Sequence, residues 1–331
     1  MKVIIPVAGF GTRLRPHTLT KAKVLMNVAG KPMISYIIDQ IIKDKLASEI
    51  ILITGFLGEQ IEEYLNTNYK FKFTFVKQEE PLGLGHAIYT AKNYLYEKLN
   101  EDLLIILGDT LFDVKLKNIC KGKYSRITVK KVNDPKRFGV VEKDKKGFVT
   151  HLIEKPSSPE VSTSNEAIVG IYFIKNGKLL FECLEHNIKN DIKTKNEFQL
   201  TDALEKMLQL GEKMDTYKID GWLDCGKPET ILETNRYLLN KLKKNYKFKT
   251  SVIKNPVSIA KGVWIEKSKI GPGVTIGENC KIRNCIIKNS IIHSGSIIND
   301  CKLIDSIIGD NCIMNNLDGK FYLGDFSEIS G

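Results

Sequence analysis

The sequence predicts an α/β domain built on a largely parallel sheet, followed by a parallel β-helix. Over the first half of the chain, short apolar runs alternate with amphipathic stretches, which is the strand–helix rhythm of a parallel α/β sheet. After Lys249 the helical periodicity stops, and isoleucines recur every six residues. A six-residue repeat is the sequence pattern of a parallel β-helix.

The first four predicted strands are short apolar runs, as expected of strands that are buried on both faces. Each of the first three is followed by a turn and a segment with helical periodicity. The predicted strands cover residues 2–8, 49–55, 73–78 and 103–109, and the predicted helices cover residues 32–42, 58–65 and 85–95.

The middle of the chain predicts further strands and a set of longer helices, which makes the sheet mixed. Asp144 to Gly147 is polar and ends in glycine, so it is expected to join two strands as a hairpin. The predicted strands cover residues 126–132, 138–142, 148–154 and 167–174. A strand end falls at 221–226, and helices are predicted at 178–187, 200–210 and 228–244.

The repeat predicts roughly four coils, with the isoleucines inside the prism and polar residues outside. The phase slips after Ile265 and after Ile282, and an ordinary antiparallel β domain remains the alternative. Three regions are therefore predicted: 1–245, the β-helix at 251–316, and a tail at 317–331. The hexad isoleucines are Ile259, Ile265, Ile270, Ile276, Ile282, Ile286, Ile292, Ile298 and Ile304.

Composition limits the class of protein. The 331 residues suit two domains. The formal net charge of +11 is compatible with anionic partners such as phosphorylated metabolites, but solvated lysines on helix faces are the simpler explanation. The basic residues form no long block or arginine–aromatic cluster, so we expect no nucleic-acid partner. The sequence has no apolar run of about 18 residues and a poor match to a signal peptide, which predicts no membrane span.

The 7 cysteines contain no CxxC pair, so neither a disulfide framework nor a zinc site is indicated. Reduced, mostly buried thiols are typical of a cytoplasmic protein, which is the predicted location.

A glycine-containing loop follows the first strand and carries the first chemical motif. Gly9 and Gly11 let backbone N–H groups approach an anion, and Arg13 can bind phosphate oxygens as a fork. The lysine motif of a Walker A loop is absent, and Leu14 stands where a dinucleotide fingerprint has its third glycine. From the glycines alone, the loop is either a phosphate site or a plain turn.

The longer segment resembles a known family. From Gly9 to Met33 the chain reads GFGTRLRPHTLTKAKVLMNVAGKPM, which resembles the G-x-G-T-R-L-x-P-x-T signature of the sugar-1-phosphate nucleotidylyltransferases, with its later lysine and K-P pair. Arg13 and Lys23 match the family's cations. Asn27 departs from the pattern, because many members have proline there.

Other segments resemble the family's motifs in order, over about residues 1 to 240. They are QEEPLGLGHA from Gln78, LGD ending at Asp109, FGVV from Phe138, EKP from Glu154 and WLD ending at Asp224. Several branches of the family carry a left-handed β-helix after the catalytic domain. The resemblance thus implies a Rossmann-like mixed-sheet nucleotidyltransferase domain followed by a left-handed parallel β-helix.

The resemblance also implies a role for each matching residue. Arg13 and Lys23 are the catalytic cations, and Asp109 and Asp224 are the ligands of Mg²⁺. Gly139, Glu154 and Lys155 bind the sugar phosphate. The nucleotide is bound by Ala8, Gly9, Gly11, Thr12, Arg13, Gln78 and Gly83. We expect direct in-line attack of a sugar 1-phosphate on the α-phosphorus of a nucleoside triphosphate, with release of pyrophosphate.

The sequence is compatible with more than one substrate pair and with more than one activity. The PLGLGHA segment looks closest to glucose-1-phosphate thymidylyl- and uridylyltransferases, which favours glucose 1-phosphate with dTTP or UTP. A mannose-1-phosphate guanylyltransferase, a bifunctional nucleotidyl- and acyltransferase and a non-catalytic binding subunit are the alternatives. Acyl transfer would use His293, which we expect to face solvent. We expect a homo-oligomer formed through the β-helix.

Overall fold

The structure is a computed structural model that describes residues 1–95, 101–242 and 244–331. The part of this described chain that precedes the β-helix contains strands, helices and short 3₁₀ turns. In chain order the elements are β1 (Lys2–Pro6), β2 (Asn27–Val28), β3 (Lys31–Pro32), α1 (Met33–Lys43), β4 (Ile50–Thr54), α2 (Gly58–Asn68), β5 (Phe73–Lys77), α3 (Leu84–Thr90), α4 (Lys92–Leu95), β6 (Leu103–Ile106), β7 (Thr110–Asp113), α5 (Leu116–Ile119), β8 (Ser125–Lys131), β9 (Gly139–Lys143), β10 (Val149–Glu154), β11 (Glu166–Ile174), α6 (Gly177–Lys189), α7 (Leu200–Gln209), β12 (Met214–Lys218), β13 (Gly221–Asp224) and α8 (Pro228–Leu239).

The C-terminal part consists of very short strands separated by turns. They are β14 (Val252–Ile253), β15 (Val257–Ile259), β16 (Trp264–Glu266), β17 (Lys269–Ile270), β18 (Val274–Ile276), β19 (Lys281–Arg283), β20 (Ile286–Lys288), β21 (Ile291–Ile292), β22 (Ile297–Asn299), β23 (Lys302–Ile304), β24 (Ile307–Ile308), β25 (Ile313–Asn315), β26 (Asp318–Gly319), β27 (Tyr322–Leu323) and β28 (Glu328–Ser330).

The chain divides into two compact units that do not follow chain order. The first unit contains Met1–Gly9 and Ile37–Trp222, and the second contains Phe10–Tyr36 and Leu223–Gly331. The segment that carries the family signature is therefore grouped with the C-terminal strands. The division at residue 245 stays a prediction about the extent of the catalytic domain.

The first unit is built on a mixed sheet. Its main path runs β10-β9-β11-β6-β1-β4-β5, and β8 pairs with both β11 and β12. The pairs of β1 with β4 and β6 are parallel, whereas β11 runs antiparallel to β6. The strand–helix rhythm of the sequence correctly predicted the parallel part, and the later strands add the antiparallel part.

The core of the first unit fills the space between this sheet and its helices. Ile4 in β1 and Ile105 in β6 are fully buried, as the continuous apolar runs predict. Leu180 and Phe181 of α6 and Leu204 of α7 join the same cluster. The sheet thereby holds the loops at the carboxyl ends of β1 and β6 in defined positions.

The predicted hairpin connects β9 and β10. The two strands pair antiparallel, and Glu154 lies opposite Gly139. Asp144 Oδ1 accepts hydrogen bonds from the backbone N–H groups of Lys146, at 2.8 Å, and of Phe148, at 2.9 Å. This Asx-type turn fixes the register that brings Gly139 and Glu154 together.

The second unit contains three parallel sheets of five strands each, consistent with the left-handed parallel β-helix that the family resemblance implies. Val252 pairs with Lys269, Lys269 with Ile286 and Ile286 with Lys302, which are steps of 17, 17 and 16 residues. A coil is therefore shorter than three hexads. The strands continue to Ser330, so residues 317–331 form a fifth coil and not the predicted tail.

The shorter coils correct two of the predicted core positions. Ile286 and Ile304 are each 37% exposed, while the neighbouring Ile287 and Leu303 are fully buried. Successive side chains of a strand point to opposite faces, so a step of five residues instead of six turns a different residue inward. The other hexad isoleucines are buried as predicted.

Several predicted bounds shift in the structure. The predicted helix at 85–95 is divided at Ala91 into α3 and α4, and α8 ends at Leu239. The prediction of helix to residue 244 includes Lys243, which lies outside the described residues. Asp109 follows β6 in a turn and does not belong to the strand. The sequence patterns missed the short elements β7, α5 and β12.

None of the helices described here has the length and apolar character needed to cross a membrane.

Candidate functional site

The segment of residues 10–36, here called the signature segment, belongs to the second unit. It begins with three 3₁₀ turns, at Thr12–Leu14, His17–Leu19 and Lys23–Leu25, and continues through β2 and β3 into the start of α1. Gly11 has φ 63°, and a Cβ atom there would lie 3.0 Å from Thr18 Cγ2 and 3.1 Å from Lys23 Cβ. Thr18 Oγ1 donates a 2.9 Å hydrogen bond to the Gly11 carbonyl. Glycine is required at this position, because both the left-handed backbone and the close packing exclude a side chain. The turn brings Lys23 next to Gly11.

Arg13 lies next to Asp224 in the same unit. A Cβ atom at Gly226 would lie 3.0 Å from Arg13 Nη2 and 3.0 Å from Asp224 Oδ1, so both side chains flank this glycine. Asp224 Oδ1 also accepts a 2.9 Å hydrogen bond from the Gly226 N–H group. Arg13 is exposed and Asp224 is half-buried. A guanidinium and a carboxylate at one open position can together hold a phosphate and its counterion.

In the first unit, Gln78 and Gly83 are in contact. Gln78 Nε2 donates to the Gly83 carbonyl at 3.2 Å and lies 3.1 Å from His86 Nδ1. Burial lowers the pKa of His86, so the ring is neutral at pH 7 and accepts this hydrogen bond when it is protonated at Nε2. The ring stacks on Phe198, with 6.3 Å between centroids. The His86 ring is thus held between Phe198 and Gln78.

Gly83 is in close contact with the chain segment before α7. Its φ is 114°, and a Cβ atom would lie 2.7 Å from the Phe198 carbonyl oxygen and 2.9 Å from Glu197 Cβ. The adjacent Leu82 carbonyl accepts a 2.9 Å hydrogen bond from the Phe198 N–H group. This pairing holds the PLGLGHA turn in place at the end of β5.

Gly139, Glu154 and Lys155 also lie together in the first unit. A Cβ atom at Gly139 would approach Glu154 Oε2 to 3.0 Å, and Lys155 Nζ lies 3.4 Å from Glu154 Oε1. Thr201 Oγ1 donates a 2.8 Å hydrogen bond to Glu154 Oε2. The side chain of Glu154 is only 10% exposed. The carboxylate is thus oriented by Thr201 beside a gap that Gly139 leaves open, which suits an acceptor for a sugar hydroxyl.

Two further polar residues surround Glu154 and were missed by the motif comparison. Burial raises the pKa of Asp202, and the nearby Glu154 charge raises it further. Burial also raises the pKa of Tyr172, again with a contribution from Glu154. Neither residue belongs to a short motif, because Tyr172 reads as an ordinary core residue of β11 and Asp202 as a residue of the first turn of α7.

Asp109, Ala8 and Gly9 lie in the first unit, at the carboxyl ends of β6 and β1. Thr110 Oγ1 donates to Asp109 Oδ1 at 3.3 Å. A Cβ atom at Gly9 would meet nothing within 4 Å, and this glycine is exposed. The carboxyl ends of strands at such a sheet are where α/β proteins bind ligands.

The predicted residues therefore fall into two groups. Arg13, Asp224, Gly11 and Lys23, with the exposed Thr12, belong to the second unit, and the remaining ones to the first. In the described ranges, no group of three or more histidine, cysteine, aspartate or glutamate residues forms a metal cage. Mg²⁺ does not need one, because it usually takes one or two carboxylates and completes its shell with phosphate oxygens and water. Asp109 and Asp224 have the ligand chemistry that this requires.

The fold and these residues define a nucleotide-handling α/β protein with an appended β-helix, and comparison with known proteins identifies the family. Residues 2–241 match the Nucleotidyl transferase family, and the chain belongs to it. The prediction of a nucleotidyltransferase is thereby confirmed. Known members of this family act as sugar-1-phosphate nucleotidylyltransferases, as the names of the relatives indicate.

Individual relatives match over most of the chain. The "Bifunctional protein GlmU" of Methanococcus maripaludis strain C5 is 35% identical over 94% of this chain and 78% of its own length. The "Glucose-1-phosphate thymidylyltransferase" of Streptomyces antibioticus is 31% identical over 99% of both chains. A solved structure of "UDP-glucose pyrophosphorylase complexed with UDP-glucose" is 27% identical with a TM-score of 0.61, covering 73% of this chain and 99% of that one.

Proposed function

We propose that the protein transfers a nucleotidyl group from dTTP or UTP to glucose 1-phosphate, giving a nucleoside-diphosphate sugar and pyrophosphate. The observation that carries the proposal is that Arg13 of the signature segment and Asp224 at the end of β13 both flank Gly226. One group attracts phosphate oxygens and the other attracts the cation that accompanies them.

The reaction joins two anions, so most of the catalytic work is electrostatic and positional. Arg13 and Lys23 neutralise charge on the triphosphate as it builds up on the α-phosphate. Lys155 holds the phosphate of the attacking sugar, and Glu154 accepts hydrogen bonds from sugar hydroxyls. The small residues Ala8, Gly9, Gly11 and Thr12 leave room for the triphosphate beside the backbone.

Mg²⁺ is the proposed cofactor, with Asp109 and Asp224 as its protein ligands. When it is bound, the ion screens the phosphate charges and favours departure of pyrophosphate. Asp109 lies in the turn after β6 and Asp224 is the last residue of β13, and both residues are partly accessible. We propose no covalent intermediate, because the sugar phosphate is itself the nucleophile.

The preference for glucose and a pyrimidine base rests on two supports. The PLGLGHA segment resembles that of thymidylyl- and uridylyltransferases, and the turn it forms places Gln78 against Gly83. In addition, the names of two relatives refer to glucose together with thymidylyl transfer or UDP. A mannose-1-phosphate guanylyltransferase is the alternative within the same reaction class.

A matrix of nucleoside triphosphates and sugar 1-phosphates tests the proposal, with pyrophosphate release as the readout. We expect the highest kcat/KM for dTTP or UTP with glucose 1-phosphate. Arg13→Ala should lose activity on the order of 100-fold or more, because a charge-stabilising donor is removed. Arg283→Ala is the matched control, since that arginine lies on the β-helix, 3.7 Å from Glu266. Higher activity with GTP and mannose 1-phosphate would overturn the substrate assignment.

A bifunctional enzyme is the second candidate, favoured by the similarity to proteins named as bifunctional. The structure changes one expectation that bears on this candidate. His293 is only 2% exposed, so it does not face solvent as the sequence analysis expected. A general base must reach its substrate, so His293 does not fit that role. Consumption of acetyl-CoA by the purified protein in the presence of sugar phosphates would support this candidate. Loss of that activity in His293→Ala would show that His293 takes part in acyl transfer after all.

We further propose a homo-oligomer formed through the β-helix, and a cytoplasmic location. Apolar side chains are exposed on the β-helix, with Trp264 at 50% and Ile286 and Ile304 at 37% each. None of the seven cysteines, which all lie in the described ranges, forms a disulfide, and this suits a reducing compartment. Light scattering of the full chain should give more than one protomer, and Ile286→Lys with Ile304→Lys should lower the mass. A monomeric wild-type protein contradicts the assembly.

A further inference from the structure

The signature segment packs against the β-helix through charged and polar contacts within the second unit. Lys21 Nζ forms an ion pair with Asp310, and Thr20 Oγ1 donates a 2.7 Å hydrogen bond to Asp325 Oδ2. A Cβ atom at Gly324 would lie 3.2 Å from Pro16 Cβ, so the backbones approach closely. Residues 16–21 of the segment therefore rest on the last coils of the β-helix.

The two aspartates are themselves held rigidly. Asp310 Oδ1 accepts a 2.8 Å hydrogen bond from the Ser294 N–H group, one coil earlier. Asp325 Oδ1 accepts a 2.8 Å hydrogen bond from the Asp310 N–H group. Each carboxylate thus bonds its own coil stack with one oxygen and the signature segment with the other. The hydrogen bonds of these two carboxylates therefore connect the signature segment to the stacked coils of the β-helix.

The contact excludes water. His17 of the signature segment is 3% exposed, and His293 of the β-helix is 2% exposed. Burial lowers the pKa of His17 to about 4 and that of His293 well below its usual value, with Lys21 acting in the same direction. Both rings are therefore neutral at pH 7. Within the described structure, neither His17 ring nitrogen has a hydrogen-bond partner.

A second contact lies near the other end of the segment. Asn235 of α8 is fully buried, and its Oδ1 accepts hydrogen bonds from the Ala29 N–H group, at 2.8 Å, and from Thr275 Oγ1 of β18, at 2.6 Å. A Cβ atom at Gly30 would lie 2.5 Å from Ser258 Oγ of β15. The segment is thus held at residues 16–21 and again at residues 29–30, on either side of Lys23.

We infer that the β-helix positions the catalytic cations, with Asp310 and Asp325 acting as positioning residues for Arg13 and Lys23. The inference rests on the proposed function, because in that function Arg13 and Lys23 bind phosphate and need a fixed position. A run of 3₁₀ turns has little internal hydrogen bonding to fix it, so tertiary contacts must supply its order. Misplacing a phosphate-binding cation by about 1 Å costs on the order of 100-fold in rate.

The test uses the full-length double variant Asp310→Asn, Asp325→Asn. Asparagine keeps an acceptor oxygen for the backbone N–H groups of Ser294 and Asp310, while the charge opposite Lys21 is lost. Asp318→Asn is the matched control, because it removes a lysine–aspartate pair, to Lys302 at 3.0 Å, inside the β-helix. Hydrogen exchange of residues 10–25 and steady-state kinetics are measured for both variants and the wild type.

The double variant should exchange these amides faster and lose about 10-fold in kcat, with a smaller change in the KM for the sugar phosphate. Asp318→Asn should match the wild type in both measurements. Unchanged exchange of the segment, or faster exchange with full activity, would overturn the positioning role. If the proposed function itself is wrong, the wild type releases no pyrophosphate. The exchange experiment still shows in that case whether Asp310 and Asp325 hold the signature segment.

Discussion

At the scale of single residues, the proposed site combines glycines with neighbouring carboxylates. Gly226 and Gly139 each leave open the position that a Cβ atom would occupy beside a carboxylate, Asp224 and Glu154 respectively. A short motif predicts that such residues are important, but only the folded chain places Arg13 and Asp224 around Gly226 and bonds Thr201 to Glu154. The reason is that these partners are far apart in sequence.

Asp224→Asn should separate metal binding from folding. The amide oxygen of asparagine can still accept the hydrogen bond from the Gly226 N–H group, so the turn is kept. Loss of the charge should raise the Mg²⁺ concentration for half-maximal activity and lower kcat on the order of 100-fold. Magnesium titrations of activity measure both effects. The exposed Asp220→Asn is the control, and an unchanged magnesium requirement in Asp224→Asn would remove this aspartate from the metal site.

Gly139→Ala should act on the sugar side of the reaction. The new methyl group would lie 3.0 Å from Glu154 Oε2 and 3.3 Å from Thr201 Oγ1, which forces the carboxylate to move. We expect the KM for glucose 1-phosphate to rise about 10-fold and the KM for the nucleotide to stay near the wild-type value. Gly147→Asn, at the hairpin turn where a Cβ meets nothing within 4 Å, is the control. Equal effects on both KM values would contradict the assignment.

At the scale of elements, periodicity predicted the strands and the β-helix well, and local bounds less well. The isoleucine hexads correctly indicated inward positions such as Ile276 and Ile298, but they misassigned Ile286 and Ile304. Coil length is set by how tightly each turn closes, and a sequence repeat does not report that. The fifth coil was missed for a related reason, because its residues are mostly polar or aromatic.

Asn235→Ala should reveal how much α8 contributes to the second unit. The change leaves the Ala29 N–H group, the Gly273 carbonyl and the Thr275 hydroxyl without their buried partner. Buried unsatisfied groups are costly, so we expect a loss of about 3 kcal/mol in the free energy of unfolding. Urea denaturation measures it, with the exposed Asn240→Ala as control. A loss no greater than that of the control would show that these contacts contribute little.

At the scale of the whole molecule, the chain divides into units that chain order does not reveal. The signature segment leaves the first unit after Gly9 and rejoins it at Ile37. Its contacts with the β-helix involve Lys21 with Asp310, 289 residues apart in sequence. A catalytic domain without the β-helix would therefore lack Asp310 and Asp325, two partners of its own signature segment.

Stability should fall in mild acid because of the buried histidine. Burial lowers the pKa of folded His17 to about 4, against about 6.5 in an unfolded chain, with Asp325 opposing the shift and Lys21 adding to it. The unfolded chain therefore binds the extra proton between these values. Stability is full above pH 6.5 and falls by about 3 kcal/mol as the pH drops to 4.

Urea denaturation at several pH values measures this loss for the wild type and for His17→Phe, whose ring does not titrate. The variant should lose less stability between pH 6.5 and 4. The exposed His186→Asn serves as the control and should follow the wild type. Identical pH dependence of the wild type and His17→Phe would contradict the role of His17.

The sequence alone determined the fold class and the reaction class, and it provided the candidate charged residues of the site, because periodicity and short motifs are local properties of the chain. The tertiary structure alone decided which of these residues touch, and that the β-helix holds the signature segment. Lys21 and Asp310 are brought together only when the coils close, and Ala29 and Asn235 only when α8 packs against the signature segment. Whether such residues meet depends on the geometry of every element between them in the chain, and a local sequence pattern does not report that geometry.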